Sequence, residues 1–239
     1  MAGRFGAGMP VGYRSASGVG RATVLTLWPM VVLLALMALS DVMQYLTTAG
    51  LEAGLASGSI SNGTALAAGA SFLGAALLAI LFGVGTLVGG ILFIVWMHRT
   101  HSNLPALGAR GLRFTPGWAI GGWFVPILNL WRPKQIADEI YAASNPHAPA
   151  EMGVSWRQNG PRVVVLWWAT WLTGGLLGQV ASSMMGADPS GFGAYRTGLL
   201  LDAVSNVVLV AAGYFAITFV REVTERQERR AARLSSPTG

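Results

Sequence analysis

The chain of 239 residues contains no cysteine. That excludes disulfides and thiolate metal sites and leaves the redox compartment unread. Charge is scarce as well: 11% of the residues are Asp, Glu, Lys or Arg, against roughly 25% in ordinary soluble domains. So few charges cannot cover a surface that faces water on every side, and 53% of the residues are hydrophobic. The class implied is an integral membrane protein. Lysine is nearly missing, since Lys134 is the one lysine among sixteen basic residues. No nucleophile elbow, phosphate loop, paired-carboxylate site or zinc-protease motif is found. No catalytic residue is therefore assigned and no cofactor is expected. The formal net charge of +6 sits beside apolar runs and builds no continuous basic face. Membrane topology and anionic lipid account for charge in that pattern, so nucleic acid is not an expected partner.

What the sequence does have is long apolar runs. Residues 1–21 are Gly- and Ser-rich and read as a disordered tail. They do not form a signal peptide, because the apolar run that follows is too long and lacks a small-residue cleavage site. Four spans are expected, at about 24–46, 66–97, 163–185 and 199–220, each long enough to cross a hydrocarbon core of about 30 Å. Pro29 falls near the expected start of the first span, and Asn62 or Thr64 is the candidate cap of the second. After the last span, residues 221–239 are charged and helix-prone, with Glu222–Arg226 and Glu225–Arg229 at i,i+4 spacing. A solvated continuation of the last helix is expected there.

The segment "FTPGWAIGGWFVPILNLWRP" is apolar enough for a fifth span but carries Pro116, Pro126 and three glycines. Charge decides between the alternatives. If the segment does not cross, all but one of the sixteen basic residues fall on the side of both termini, and Arg196 stands alone opposite. If it crosses, the division is seven against nine. The positive-inside rule favours the first arrangement. The expected architecture is an all-α integral membrane protein with four transmembrane helices and both termini cytoplasmic. A re-entrant segment at about 114–131 leads into a short interfacial helix at about 132–144, where Pro133 suits a first helical turn. The expected location is the bacterial inner membrane, with membrane lipids as partners and a protein partner or a homo-oligomer as further candidates.

The polar residues worth weighing gather in the connection between the second and third spans. Trp96, Arg99 and Asn103 share a helical face at spacings of three and four. Asn129 lies among apolar residues, where a buried amide needs partners. Glu139 and Trp131 complete the set. Two readings stand: a ligand or ion site, or a structural clasp satisfying the broken backbone of the re-entrant segment. His98 and His101 are three apart but no third ligand follows at a useful spacing, so no metal site is assigned. Asp41, Gln179, Asp202 and Asn206 line either a polar path or merely solvated span ends. The Gly-x-x-x-Gly pairs at 85/89, 117/121 and 174/178 permit close helix approach, within one chain or between chains.

The motif W-x-x-R-x-x-x-N-L at Trp96–Leu104, then P-x-x-N-L-x-x-P at Pro126–Pro133 and the E-I-Y of Glu139, Ile140 and Tyr141, resembles a bacterial membrane family, domain of unknown function 4328. By layout the resemblance covers roughly residues 37–220, while its specific motifs occupy 96–144. It implies the architecture above and no activity. The function expected is that of a non-enzymatic accessory or scaffold protein. The alternatives are a small oligomeric transporter with a site near Asn129, and a lipid-modifying enzyme using Arg99, His101 or Glu139.

Overall fold

A computed structural model describes residues 9–149, 160–187 and 192–236. Among these the regular structure is helical throughout. The order is α1 (Ser17–Ala56), α2 (Asn62–Ser102), α3 (Trp118–Phe124), a single 3-10 turn at Leu128–Leu130, α4 (Arg132–Ala143), α5 (Arg162–Ala187) and α6 (Phe192–Ser235). Four of these, α1, α2, α5 and α6, are long and apolar enough to cross a membrane. At 1.5 Å per residue, the 7 residues of α3 reach only about 10 Å, far short of a crossing. The protein is a multi-pass membrane protein of all-α architecture.

The helices overrun their apolar parts. The first expected span began at residue 24, but α1 starts at Ser17, so Pro29 lies inside the helix and removes the hydrogen bond its N–H would have made to Leu25. The cap of α2 also differs from expectation. Ser61 Oγ accepts the Thr64 N–H at 3.1 Å, and the Ser61 carbonyl accepts the Ala65 N–H. Ser61 is thus the N-cap, and Asn62 and Thr64 are the first and third residues of the helix. The last helix runs unbroken to Ser235, and its charged end is not solvated on all sides. Val223, Gln227, Arg230 and Ala231 are buried there.

The chain divides into two units. The first takes the described residues of Met1–Thr26, Gly89–Leu166 and Phe215–Gly239, and the second takes Leu27–Val88 and Trp167–Tyr214. Every basic residue except Arg196 belongs to the first, the charged unit. The second, apolar unit turns large hydrophobic side chains outward. Leu66, Leu73, Ile80, Val84 and Leu87 of α2 are all exposed, as suits a helix whose solvent is hydrocarbon. Small residues let its helices approach. A Cβ on Gly174 of α5 would lie 2.6 Å from Leu209 Cγ of α6, and one on Gly178 would lie 3.0 Å from Ser205 Oγ. The Gly174/Gly178 pair therefore serves packing within the chain. Gly117 and Gly121 meet no such neighbour.

Candidate functional site

In the charged unit, the end of α2, the end of α4 and the polar part of α6 enclose a layer of buried polar side chains. Trp96 is fully buried and stacks edge-on against Phe219, with ring centres 5.2 Å apart. Its indole N–H donates to Thr224 Oγ1 at 3.0 Å. Gly20 of α1 passes so close that a Cβ would lie 2.8 Å from that hydroxyl. One turn further along α2, Asn103 pairs with the main chain of Arg14. Its Oδ1 accepts the Arg14 N–H at 3.1 Å, and its amide donates to the Arg14 carbonyl at 2.9 Å. The same amide donates to Gln227 Oε1 at 3.1 Å. Gln227 in turn donates to the Thr100 carbonyl and to Ser144 Oγ. A chain of satisfied bonds thus runs from the N-terminal segment through α2 and α6 to the end of α4.

The N-terminal segment is correspondingly ordered from Met9 onward. Tyr13 packs against Leu107 and Ala231, and Ser15 and Ser17 both donate to Glu228 Oε1. The expected tail of residues 1–21 is packed or helical over 13–21. Burial, together with the neighbouring Glu228 carboxylate, raises the Tyr13 phenol above its ordinary value. Arg230, 1% exposed, gathers four carbonyls, those of Leu107, Asn145, Ala148 and Pro149, at 2.7 to 3.0 Å.

Of the residues singled out in the sequence, Trp96, Arg99 and Asn103 lie along one helical face, and Arg99 reaches the Ser15 carbonyl at 3.4 Å. The backbone that Arg99 and Asn103 satisfy is that of residues 14 and 15. Glu139 sits on α4 with other partners. Its carboxylate accepts the Arg113 N–H at 3.0 Å and 3.3 Å, and it faces His101 Nε2 at 3.6 Å. Both side chains are buried. Asn129 is half-buried in the 3-10 turn and makes no side-chain bond to the other five among the described residues; nor does Trp131, which is exposed. The six residues thus fall into three groups and not one cluster.

The α3–α4 segment is broken for local reasons. Leu128 N–H donates to the Pro126 carbonyl, a γ-turn centred on Ile127, whose φ is +68°. Beyond it, α4 buries Ile136, Ala137, Ile140 and Ala143. Tyr141 OH donates to Glu222 at 2.9 Å and lies beneath the Arg226 guanidinium. Burial and the hydrogen bond to Glu222 raise the phenol of Tyr141, with Arg226 opposing them. Burial also raises the Asp138 carboxyl, against the pull of Lys134, with which it pairs at 2.7 Å. Among the described residues no three His, Cys, Asp or Glu gather as metal ligands.

Outside the charged unit, a second polar group lies in the apolar one. Asp41 is buried and accepts the Asn206 amide at 2.9 Å, and Asp202 accepts from the same amide at 3.4 Å. Asp41 is therefore not a solvated span end. Arg196 pairs with Glu52 at 3.1 Å and lies over the Tyr45 ring.

Sequence reasoning missed Gln227, Arg230 and Thr224. A signal was present: Val220, Val223, Gln227 and Ala231 recur at three and four residues, marking one buried face along a helix whose net character is charged.

The family model described as Domain of unknown function (DUF4328) matches residues 56–225. The chain belongs to the DUF4328 family. The match takes in all three motif elements, from Trp96 to Tyr141, and most of α6, but not the N-terminal segment that Asn103 holds. Neither the curated proteins nor the solved structures contain a match.

Proposed function

We propose that this DUF4328 protein is a non-enzymatic accessory or scaffold protein of the bacterial inner membrane. Both termini are cytoplasmic, and its charged unit engages anionic lipid or a protein partner. The observation that carries the reading is the concentration of all basic residues but Arg196 in one unit, joined there by a broken apolar segment. Phe124, Ile127 and Leu130 of that segment point outward. In this reading residues 114–131 enter the bilayer from the cytoplasmic face and leave by it, and α4 lies in the interface, with Trp131 at headgroup depth. The bonded chain of Asn103, Gln227 and Ser144 acts as a brace. The test is lipid retention by the purified full-length chain, offered phosphatidylglycerol and phosphatidylcholine of equal chain length and followed by native mass spectrometry. Preferential retention of phosphatidylglycerol, weakening as salt rises, is expected. Equal retention of the two lipids removes the lipid half of the proposal.

A second reading, transport or conduction by an oligomer, has one observation in its favour. Asp41, Asn206 and Asp202 place ionisable groups within a candidate span, where they are costly. Flux of monovalent cations into liposomes, measured with the native chain and with Asn206→Leu, tests it. Absence of flux from folded native protein ends that reading.

A further inference from the structure

Two cations of the charged unit stand against one aromatic ring. The Arg113 guanidinium lies 5.4 Å from the centre of the Phe114 ring, and that of Arg132 lies 4.9 Å from the same centre. Arg132 is also 5.2 Å from the centre of Trp118. Phe114 is buried, so the ring is a fixed plate. The Arg132 stem is fixed as well, because α3 presses on it at Gly122, where a Cβ would meet Arg132 Cγ at 3.0 Å. One terminal nitrogen of Arg132 donates to Gln135 Oε1, and its Nε is buried without a hydrogen-bond partner. Among the described residues neither guanidinium has an ion pair, whereas nearby Lys134 is paired with Asp138.

Two like charges held against one ring repel one another, and an anion beside the ring relieves that repulsion. Guanidinium groups braced by aromatic faces present their remaining N–H donors in a fixed fork, the geometry that suits phosphate oxygens. The chemistry next to them is apolar. In the same α3–α4 segment, Phe124 is 72% exposed, Ile127 68% and Leu130 50%. An anion delivered with acyl chains attached satisfies both features, and a free anion satisfies only one.

We propose that Arg113 and Arg132, braced by Phe114 and Trp118, form a binding site for the phosphate of an anionic phospholipid whose acyl chains lie along Phe124, Ile127 and Leu130. The assignment rests on the reading of the charged unit as a lipid-facing surface and names its specific site.

The test compares four forms of the full-length chain in the phosphatidylglycerol competition described above. The native chain retains phosphatidylglycerol over phosphatidylcholine. The double variant R113Q/R132Q loses that preference by about thirtyfold, at ~1 kcal/mol for each cation at an anionic surface. R113K/R132K keeps the charge but loses the fork, and falls between the two. It also decides the matter if the glutamine pair loses its helical circular dichroism. The control R14Q/R229Q removes equal charge at two exposed positions and leaves the preference within about twofold. Equal losses in the control and in R113Q/R132Q overturn the site while leaving the broader reading of the charged unit intact. No preference in the native chain overturns both. Complete displacement of the lipid by millimolar glycerol phosphate assigns the site to a soluble phosphate and overturns the lipid assignment.

Discussion

Asn103 exchanges two hydrogen bonds with the Arg14 main chain and adds a third to Gln227. Replacing it with leucine strands the Arg14 N–H, its carbonyl and the Gln227 Oε1 in a buried setting. At roughly 1–3 kcal/mol for a buried group left without a partner, Asn103→Leu is expected to cost about 3 kcal/mol. It should lower the midpoint of thermal unfolding in detergent and expose Arg14 to trypsin; an unchanged midpoint and cleavage rate contradict this role. Asp138 gives a pH signature. Burial holds its carboxyl above the ordinary value in the folded chain, so the unfolded chain gives up the proton first. Stability is then greatest below the ordinary carboxylate pKa of about 4 and falls as pH rises from there through the raised value. Asp138→Asn should flatten that part of the stability profile, and an unaltered slope speaks against the assignment.

At the scale of elements, Gly174 and Gly121 look alike in sequence and differ in the fold. The first faces Leu209 across α5 and α6, while the second faces open space. Gly174→Val should destabilise the protein by about 2 kcal/mol through overpacking. Gly121→Ala, in a helix with room for a methyl group, should be neutral or slightly stabilising. Equal effects in thermal unfolding contradict the packing described. At the γ-turn, Ile127 adopts a φ of +68° that a β-branched residue reaches only with strain, of order 1–3 kcal/mol. Its side chain is 68% exposed, so Ile127→Gly gives up little packing and is expected to raise the unfolding free energy by about 1 kcal/mol. The four long helices were legible in sequence because length and apolar content alone define them. Their ends were not. Residues 17–23 and 221–235 are too polar to read as span, and they are helical because they pack. The burial of Val223, Gln227, Arg230 and Ala231 along α6 shows this.

For the whole molecule, the sequence pointed to Trp96, Arg99, Asn103, Asn129, Glu139 and Trp131 as one set because they are polar or aromatic and close along the chain. Three-dimensional structure separates them. Asn103 and Arg99 turn to residues 14 and 15, more than eighty positions away, and Glu139 turns to His101 and Arg113. No local pattern encodes such long-range partners. What the sequence did carry was the charge asymmetry, and the division of the fold into a unit with all basic residues but Arg196 runs parallel to it. The central claim is that residues 114–131 enter and leave the membrane on the side of both termini. With no native cysteine, single cysteines can be placed without background at Ser59, Arg110, Pro149 and Ala232. A membrane-impermeant thiol reagent is then applied to spheroplasts before and after permeabilisation. The account predicts labelling at Ser59→Cys in intact spheroplasts, and at Arg110→Cys, Pro149→Cys and Ala232→Cys only once the membrane is opened. Opposite behaviour at positions 110 and 149 would show that the segment crosses and would contradict it.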